Sequence, residues 1–340
     1  RVPVRPSSPN KKRNLVLALL LGLGGGVGLA FLFDFLDNSV KTSEDVERYA
    51  GLPTLGVVPK FSLEGTNKAY TYGRRLKAAK EEPRRLAAGD GASDAASGAA
   101  SPFVAAVEKA AGPGGIELVP QHFPNSRLAE SYRSIRTALL LSSADNPVKT
   151  LAVTSALPGE GKSVSVSNLA VTLAQSGKTV LIVDADLRRP RQHRMFKVKN
   201  TFGLTTYLTD SVEIKDVIKS TDIPNLFLVN AGPIPPNPAE LLGSDRMTRF
   251  IRMMNEECDF VLFDLPPMLE ISDALVLGAK VDGLVLVVHG DRTSREALRK
   301  AREKLDLLKI RTIGVIINNV SAPHHGAYYS KESYHGYHRS

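Results

Sequence analysis

An apolar run that turns through a glycine-rich loop into a helical pattern admits few folds, and residues 150–175 form such a segment. Thr150 to Ser155 reads TLAVTS, Val164 to Ala174 carries apolar residues at helical spacing, and between them lies Ala156-Leu157-Pro158-Gly159-Glu160-Gly161-Lys162-Ser163. This turn fits G-x-x-x-x-G-K-[ST] everywhere except its first position, where Ala stands for Gly. Small residues let the backbone curl until successive N–H groups point at a β-phosphate, with the positive end of the following helix behind them. Lys162 then reaches the β/γ oxygens and the Ser163 hydroxyl ligates Mg²⁺. Pro158, Gly159, Glu160, Gly161, Lys162, Ser163 and Val164 are therefore the candidate ATP-binding set, and the chain is expected to bind a nucleoside triphosphate.

From Ser126 onward, apolar strand runs alternate with helical stretches. Strands are expected at 150–155, 179–183, 226–229, 260–264, 283–288 and 312–317, and helices near 128–141, 164–175, 239–255, 272–278 and 294–308. Such alternation predicts an α/β fold: a P-loop NTPase-like, doubly wound parallel sheet covered on both faces. Ligands in such folds bind at the carboxyl ends of the strands.

Two acidic motifs fall at those ends. Phe260-Val261-Leu262-Phe263-Asp264 is an apolar run closed by a carboxylate, which can hold Mg²⁺ directly or through a water. In Val183-Asp184-Ala185-Asp186, the paired acids can share a metal or divide roles between metal and substrate hydroxyl. Arg188 and Arg189 follow at once and offer cations for phosphate charge. A transferred phosphoryl group needs mainly positioning and charge neutralisation, which these groups supply.

The N-terminal part has a different character. Leu15 to Phe33 holds nineteen residues without a charge, enough to span a bilayer, and Gly24 to Gly28 matches G-x-x-x-G. Residues 14–36 are expected to be a transmembrane helix, preceded by a juxtamembrane segment (1–13) with Pro3, Pro6 and Pro9 at every third position. Five positive charges lie in those first thirteen residues, part of a net charge of +9. Charge bias alone would put the N-terminus inside, yet the phosphate loop on the far side of the helix needs cytoplasmic ATP. No interleaving of basic with aromatic residues and no zinc-type spacing supports nucleic-acid binding. The single cysteine, Cys258, excludes an internal disulfide framework. Residues 37–59 read as a second juxtamembrane segment, within which Leu52 to Pro59 is either a strand or an extended docking segment. Residues 60–125, with the stretch GDGASDAASGAASP, read as a flexible linker.

Two further features exceed what ATP binding requires. Glu130, Arg133 and Arg136 fall at i, i+3 and i+6 on one helix face, which suits either an ion-paired surface or a subunit contact. Residues 322–340 place Tyr328, Tyr329, Tyr334 and Tyr337 among Gly, Ser and His, a tail whose phenolic hydroxyls are possible phosphoryl acceptors.

Together these pieces resemble the bacterial tyrosine kinases of capsule and exopolysaccharide export, the polysaccharide co-polymerase autokinases. The resemblance covers the proline-spaced approach, the apolar helix, Leu52–Pro59, the Glu-x-x-Arg-x-x-Arg helix, the three nucleotide motifs and the tyrosine cluster. It implies a deviant Walker-type kinase domain over 126–321 at the cytoplasmic face of the bacterial inner membrane. It also implies an upstream periplasmic domain and first membrane helix, so that Arg1 would be a fragment boundary. Lys162 would stabilise phosphates, Ser163, Asp186 and Asp264 would organise Mg²⁺, and Asp184 would orient or deprotonate the incoming tyrosine. Glu130, Arg133 and Arg136 would build a homo-oligomeric ring in which the tail tyrosines are phosphorylated in trans. Export channel, polymerase and a phosphotyrosine phosphatase are the implied partners. Two other readings differ in kind. A partitioning or septum-positioning ATPase would carry an extra lysine where this chain has Leu157, and a scaffold with a vestigial site would not need its intact Lys162, Ser163 and three aspartates.

Overall fold

The computed structural model describes residues 11–36, 38–60, 117–142 and 147–320. The chain divides into two units, Arg1–Ser39 and Val40–Ser340.

In the first unit, Lys11–Leu36 forms one 26-residue helix, α1, over the segment expected to span a membrane. Its side chains are described at 14–26 and at 28, where all are exposed, Leu15 by 74% and Leu19 by 69%. Among the described residues, no helix is long and apolar enough to cross a membrane. The proline-spaced segment, most of the 60–125 linker and the tyrosine tail lie outside the described residues.

The second unit is built on an eight-stranded sheet in the order β1-β8-β7-β2-β6-β3-β5-β4. The strands are β1 (Thr54–Pro59), β2 (Thr150–Ser155), β3 (Val180–Asp184), β4 (Ile218–Ser220), β5 (Leu226–Val229), β6 (Phe260–Asp264), β7 (Gly283–His289) and β8 (Thr312–Val320). Every pairing is parallel except β4 with β5. The six expected strands are all present, each in the parallel part of the sheet.

Side chains alternate between two cores, as the period of a strand requires. Val180 and Ile182 of β3, Phe260 and Leu262 of β6, and Val285 and Val287 of β7 face one layer. That layer is covered by α3 (Arg127–Ser142) and α4 (Lys162–Gln175). Leu181 and Val183, Val261 and Phe263, and Leu284 and Leu286 face the other. Covering it are α2 (Ser43–Ala50), α5 (Asp245–Glu257), α6 (Asp273–Gly278) and α7 (Arg295–Leu307). A sheet covered on both faces explains why its strands read as unbroken apolar runs.

Three features depart from the sequence reading. First, the compact unit does not start at residue 126. β1 pairs in parallel with β8, Thr54 opposite Val315 and Val57 opposite Ile317, so Leu52–Pro59 contains an edge strand of the same sheet. Leu55 and Val58 pack into the core under α3, and Val40, Val46 and Leu52 into the opposite one. At Gly56 the helix approaches so closely that a Cβ would stand 2.5 Å from Ile135 Cγ1. Second, the helix expected over 239–255 is two helices, Pro238–Gly243 and α5. Ser244 separates them with ψ 158° and caps α5 by accepting the Met247 N–H. Third, β4 adds a short antiparallel edge with Lys219 in it, a polar strand of three residues that carries no hydrophobic period.

Candidate nucleotide site

The carboxyl ends of three adjacent strands build the site. β2 runs into the phosphate loop, while β6 and β3 end side by side with Asp264 and Asp184 directly in register. The loop enters α4 through Gly161, whose φ of 92° is left-handed and whose Cβ would lie 2.0 Å from Asn318 Nδ2. Only glycine serves there, for backbone shape and for space alike.

Lys162 is the hub. Its ammonium donates to Asp186 Oδ2 at 2.7 Å, to Ser163 Oγ at 3.3 Å and to Asp264 Oδ1 at 3.4 Å. Burial opposes its charge, but the carboxylates of Asp264 and Asp186 outweigh that and hold its pKa above the ordinary lysine value. Asp184 is fully buried. One of its oxygens accepts the Arg191 and Gln192 amides, both at 3.0 Å, and Oδ1 has no partner among the described residues. Burial first, and the nearby Asp264 charge second, raise its pKa well above the usual carboxylate range. Asp186 accepts the Arg189 amide at 3.0 Å through its other oxygen. The structure thus gathers Lys162, Ser163, Asp184, Asp186 and Asp264 in one place.

Four residues beyond the sequence reading hold this arrangement. Gln192, fully buried, donates to Asp264 Oδ2 at 2.8 Å and to the Ser163 carbonyl at 3.2 Å, and accepts from Ser167. Asn318, at the end of β8, donates to the Glu160 carbonyl at 3.0 Å. Thr293 donates to Glu160 Oε1, and Glu160 Oε2 accepts the Leu157 amide at 2.8 Å. Asp273 receives Arg188 in a bidentate pair at 2.8 and 3.1 Å, so that guanidinium is already committed to a buried carboxylate. None of the four belongs to a recognisable local motif, which is why spacing alone did not find them.

Glu160 can serve phosphate only through its backbone N–H, because its side chain points inward and is 3% exposed. Burial pushes its pKa up to about 7 against the hydrogen bonds that favour the charged form.

The donors fit a hard cation: one hydroxyl, two carboxylates that already surround an ammonium, and a buried carboxylate oxygen without a partner. Among the described residues no group of three or more His, Cys, Asp or Glu forms a metal cage. Mg²⁺ does not need one, since it is usually held by one or two carboxylates together with substrate phosphates.

The Glu130–Arg136 face lies elsewhere, on α3. Glu130 and Arg133 pair at 2.8 Å in an exposed position, and Arg133 also reaches the Pro124 carbonyl. Arg136 turns inward and donates to the Thr172 carbonyl at 2.7 Å, in the last turn of α4, where carbonyl charge favours a cation.

Comparison with known proteins places these observations. The AAA domain family matches residues 148–313. Tyrosine-protein kinase YwqD of Bacillus subtilis is 42% identical over 205 residues, which cover 60% of this chain and 86% of YwqD. Tyrosine-protein kinase etk of Escherichia coli is 29% identical over 316 residues, 93% of this chain but 39% of etk. The crystal structure of the chimerical protein CapA2B2 superposes with a TM-score of 0.64 at 29% identity, covering 82% of this chain and all of that one.

Proposed function

The chain belongs to the bacterial tyrosine-protein kinase family, and from that premise we propose that it binds Mg-ATP at Ala156–Ser163 and transfers the γ-phosphoryl group to tyrosine. The observation that carries the proposal is the convergence of Lys162, Ser163, Asp184, Asp186 and Asp264 at the ends of β2, β3 and β6.

The backbone N–H groups from Gly159 to Val164 receive the phosphates, and Lys162 exchanges its contact with Asp186 for the β/γ oxygens. Ser163, Asp186 and Asp264 would hold Mg²⁺, which would supply neutralisation of phosphate charge. Asp184 orients the tyrosine hydroxyl and takes its proton as the new O–P bond forms and the bond to the ADP leaving group breaks. A phenol with a pKa near ~10 is scarcely ionised at neutral pH, so a base with a raised pKa is well matched to it. Gln192 holds Asp264 in place, and Arg188, fixed by Asp273, lends positive charge at the rim.

The acceptors in this reading are Tyr328, Tyr329, Tyr334 and Tyr337, reached in trans within a ring built through Glu130, Arg133 and Arg136. Residues 14–36 anchor the ring in the bacterial inner membrane with the kinase unit in the cytoplasm. Phosphorylation there regulates capsular or exopolysaccharide polymerisation and export, with the export channel, polymerase and a phosphatase as partners. Four phosphates add at least about six negative charges, enough to weaken a ring held by tail docking.

Incubation of the purified chain with Mg-ATP, followed by phosphotyrosine mapping, tests the reading. Phosphate is expected on the tail and absent in Lys162→Met. A tail without phosphate, or a Lys162→Met protein as active as the parent, overturns it.

A further inference from the structure

Thr293 belongs to none of the nucleotide motifs, yet it touches two parts of the unit that are far apart in sequence. It lies between β7 and α7 and is 1% exposed. Its hydroxyl donates to Glu160 Oε1 of the phosphate loop and accepts the His289 amide at 2.8 Å. Its carbonyl accepts the Val40 N–H at 2.8 Å, and the Asp291 N–H returns to the Val40 carbonyl at 3.2 Å. Val40 is wholly buried and follows the end of α1 by four residues in the chain.

The segment 40–45 is tied down a second time. Asp45 closes a capping box with Thr42 at the start of α2 and pairs with Arg295 at 3.2 Å, two residues beyond Thr293. Arg295 in turn lies over the Tyr49 ring at 5.2 Å. On the other side, Glu160 uses its second oxygen to hold Leu157, so one carboxylate fastens the two ends of the loop's first turn. One buried threonine therefore joins the chain that leads out of α1 to the turn that must open its amides toward phosphate.

We propose that Thr293 is a positioning residue that couples segment 40–45 to the phosphate loop through Glu160, so that displacement of that segment weakens nucleotide binding. The inference rests on the reading of 156–163 as a nucleotide site. It gives the region after α1 a route to that site that is independent of the tail. The route needs no long pathway, because backbone, hydroxyl and carboxylate are in direct sequence. Loss of the hydroxyl takes from Glu160 its side-chain donor and leaves its carboxylate to the backbone amides of Leu157, Ala156 and His289, so the loop turn loosens.

The test measures the Kd of a fluorescent ADP analogue, and KM and kcat for ATP in tail phosphorylation, in the full chain. Thermal melts check that each variant is folded. Thr293→Val is expected to raise Kd and KM about tenfold with kcat within about twofold, and Thr293→Ser to restore the parent values. Val40→Pro, which deletes the N–H given to Thr293 without touching the loop, is expected to raise Kd about threefold. Should Thr293→Val not fold, Thr293→Cys, with a weaker donor, is expected to give an intermediate rise. Unchanged Kd in the folded Thr293 variant overturns the positioning role, and unchanged Kd in Val40→Pro overturns the coupling. A parent protein that binds nucleotide but transfers no phosphate defeats the kinase reading and leaves this inference standing. A parent that binds no nucleotide defeats both.

Discussion

The carboxylates around Lys162 and the Glu130–Arg133 pair on α3 are both ion pairs, and they behave as opposites. The first group is almost wholly buried, with Lys162 and Asp186 side chains 12% and 6% exposed; in the second, Arg133 is 30% and Glu130 66% exposed. Charges out of water cannot be left alone, so each has backbone or side-chain donors around it. Charges in water cost little to separate and contribute little to stability. A buried cluster is thus committed to one geometry, while the exposed pair is free to change partners. That freedom is what a subunit contact would need.

The largest test of this contrast is Lys162→Met. Removing the one cation among three buried carboxylates is expected to lower stability by about 3 kcal/mol in denaturant unfolding, besides abolishing phosphate transfer. A stable, unperturbed variant would show that the cluster is not electrostatically committed. A second test uses pH. Glu160 has its folded pKa raised to about 7 from 4.5, so the native state holds its proton longer than the unfolded chain. Stability from this group is full below about pH 4.5 and is lost as pH rises to about 7, by roughly 3 kcal/mol at most. Asp184 shifts in the same direction and adds to the slope. Glu160→Gln is expected to flatten part of that slope in melts across the window; an unchanged slope would mean that Glu160 is ionised at no cost.

Gln192→Leu, which strips Asp264 of a donor at 2.8 Å, is expected to cost about 1–3 kcal/mol. The smallest effect belongs to the surface. Glu130→Ala with Arg133→Ala is expected to change stability by less than about 0.5 kcal/mol while altering the oligomer distribution in sedimentation. A loss above 1 kcal/mol without change in assembly would make the pair a structural one. Arg136, bonded to the Thr172 carbonyl, is the exception on that face and should behave more like the buried set.

Much of this was legible in the chain. Spacing revealed several features that act through near neighbours: the loop of 156–163, the acids that close β3 and β6, and the apolar runs that became parallel strands. Strand ends converge in any sheet of this type, so Asp184, Asp186 and Asp264 could be grouped before their distances were known. The reading erred where local signals were absent or shared. Ser244 capped a helix in the middle of a continuous apolar pattern, and β4 was too short and polar to show a period. The inward turn of the Glu160 carboxylate likewise leaves no mark in the spacing of the loop.

By itself the sequence determined the parallel sheet, the phosphate loop and the three acids, because each depends on contacts a few residues apart or on a strand order with few solutions. Only the tertiary structure decided that residues 40–59 belong to the same body, through the pairing of β1 with β8 and the close approach of Ile135 to Gly56. It alone decided that Gln192, Asp273, Thr293 and Asn318 serve the site. Those four meet their partners across gaps of up to 158 residues, and a buried hydrogen bond over that separation leaves no periodic trace in the chain.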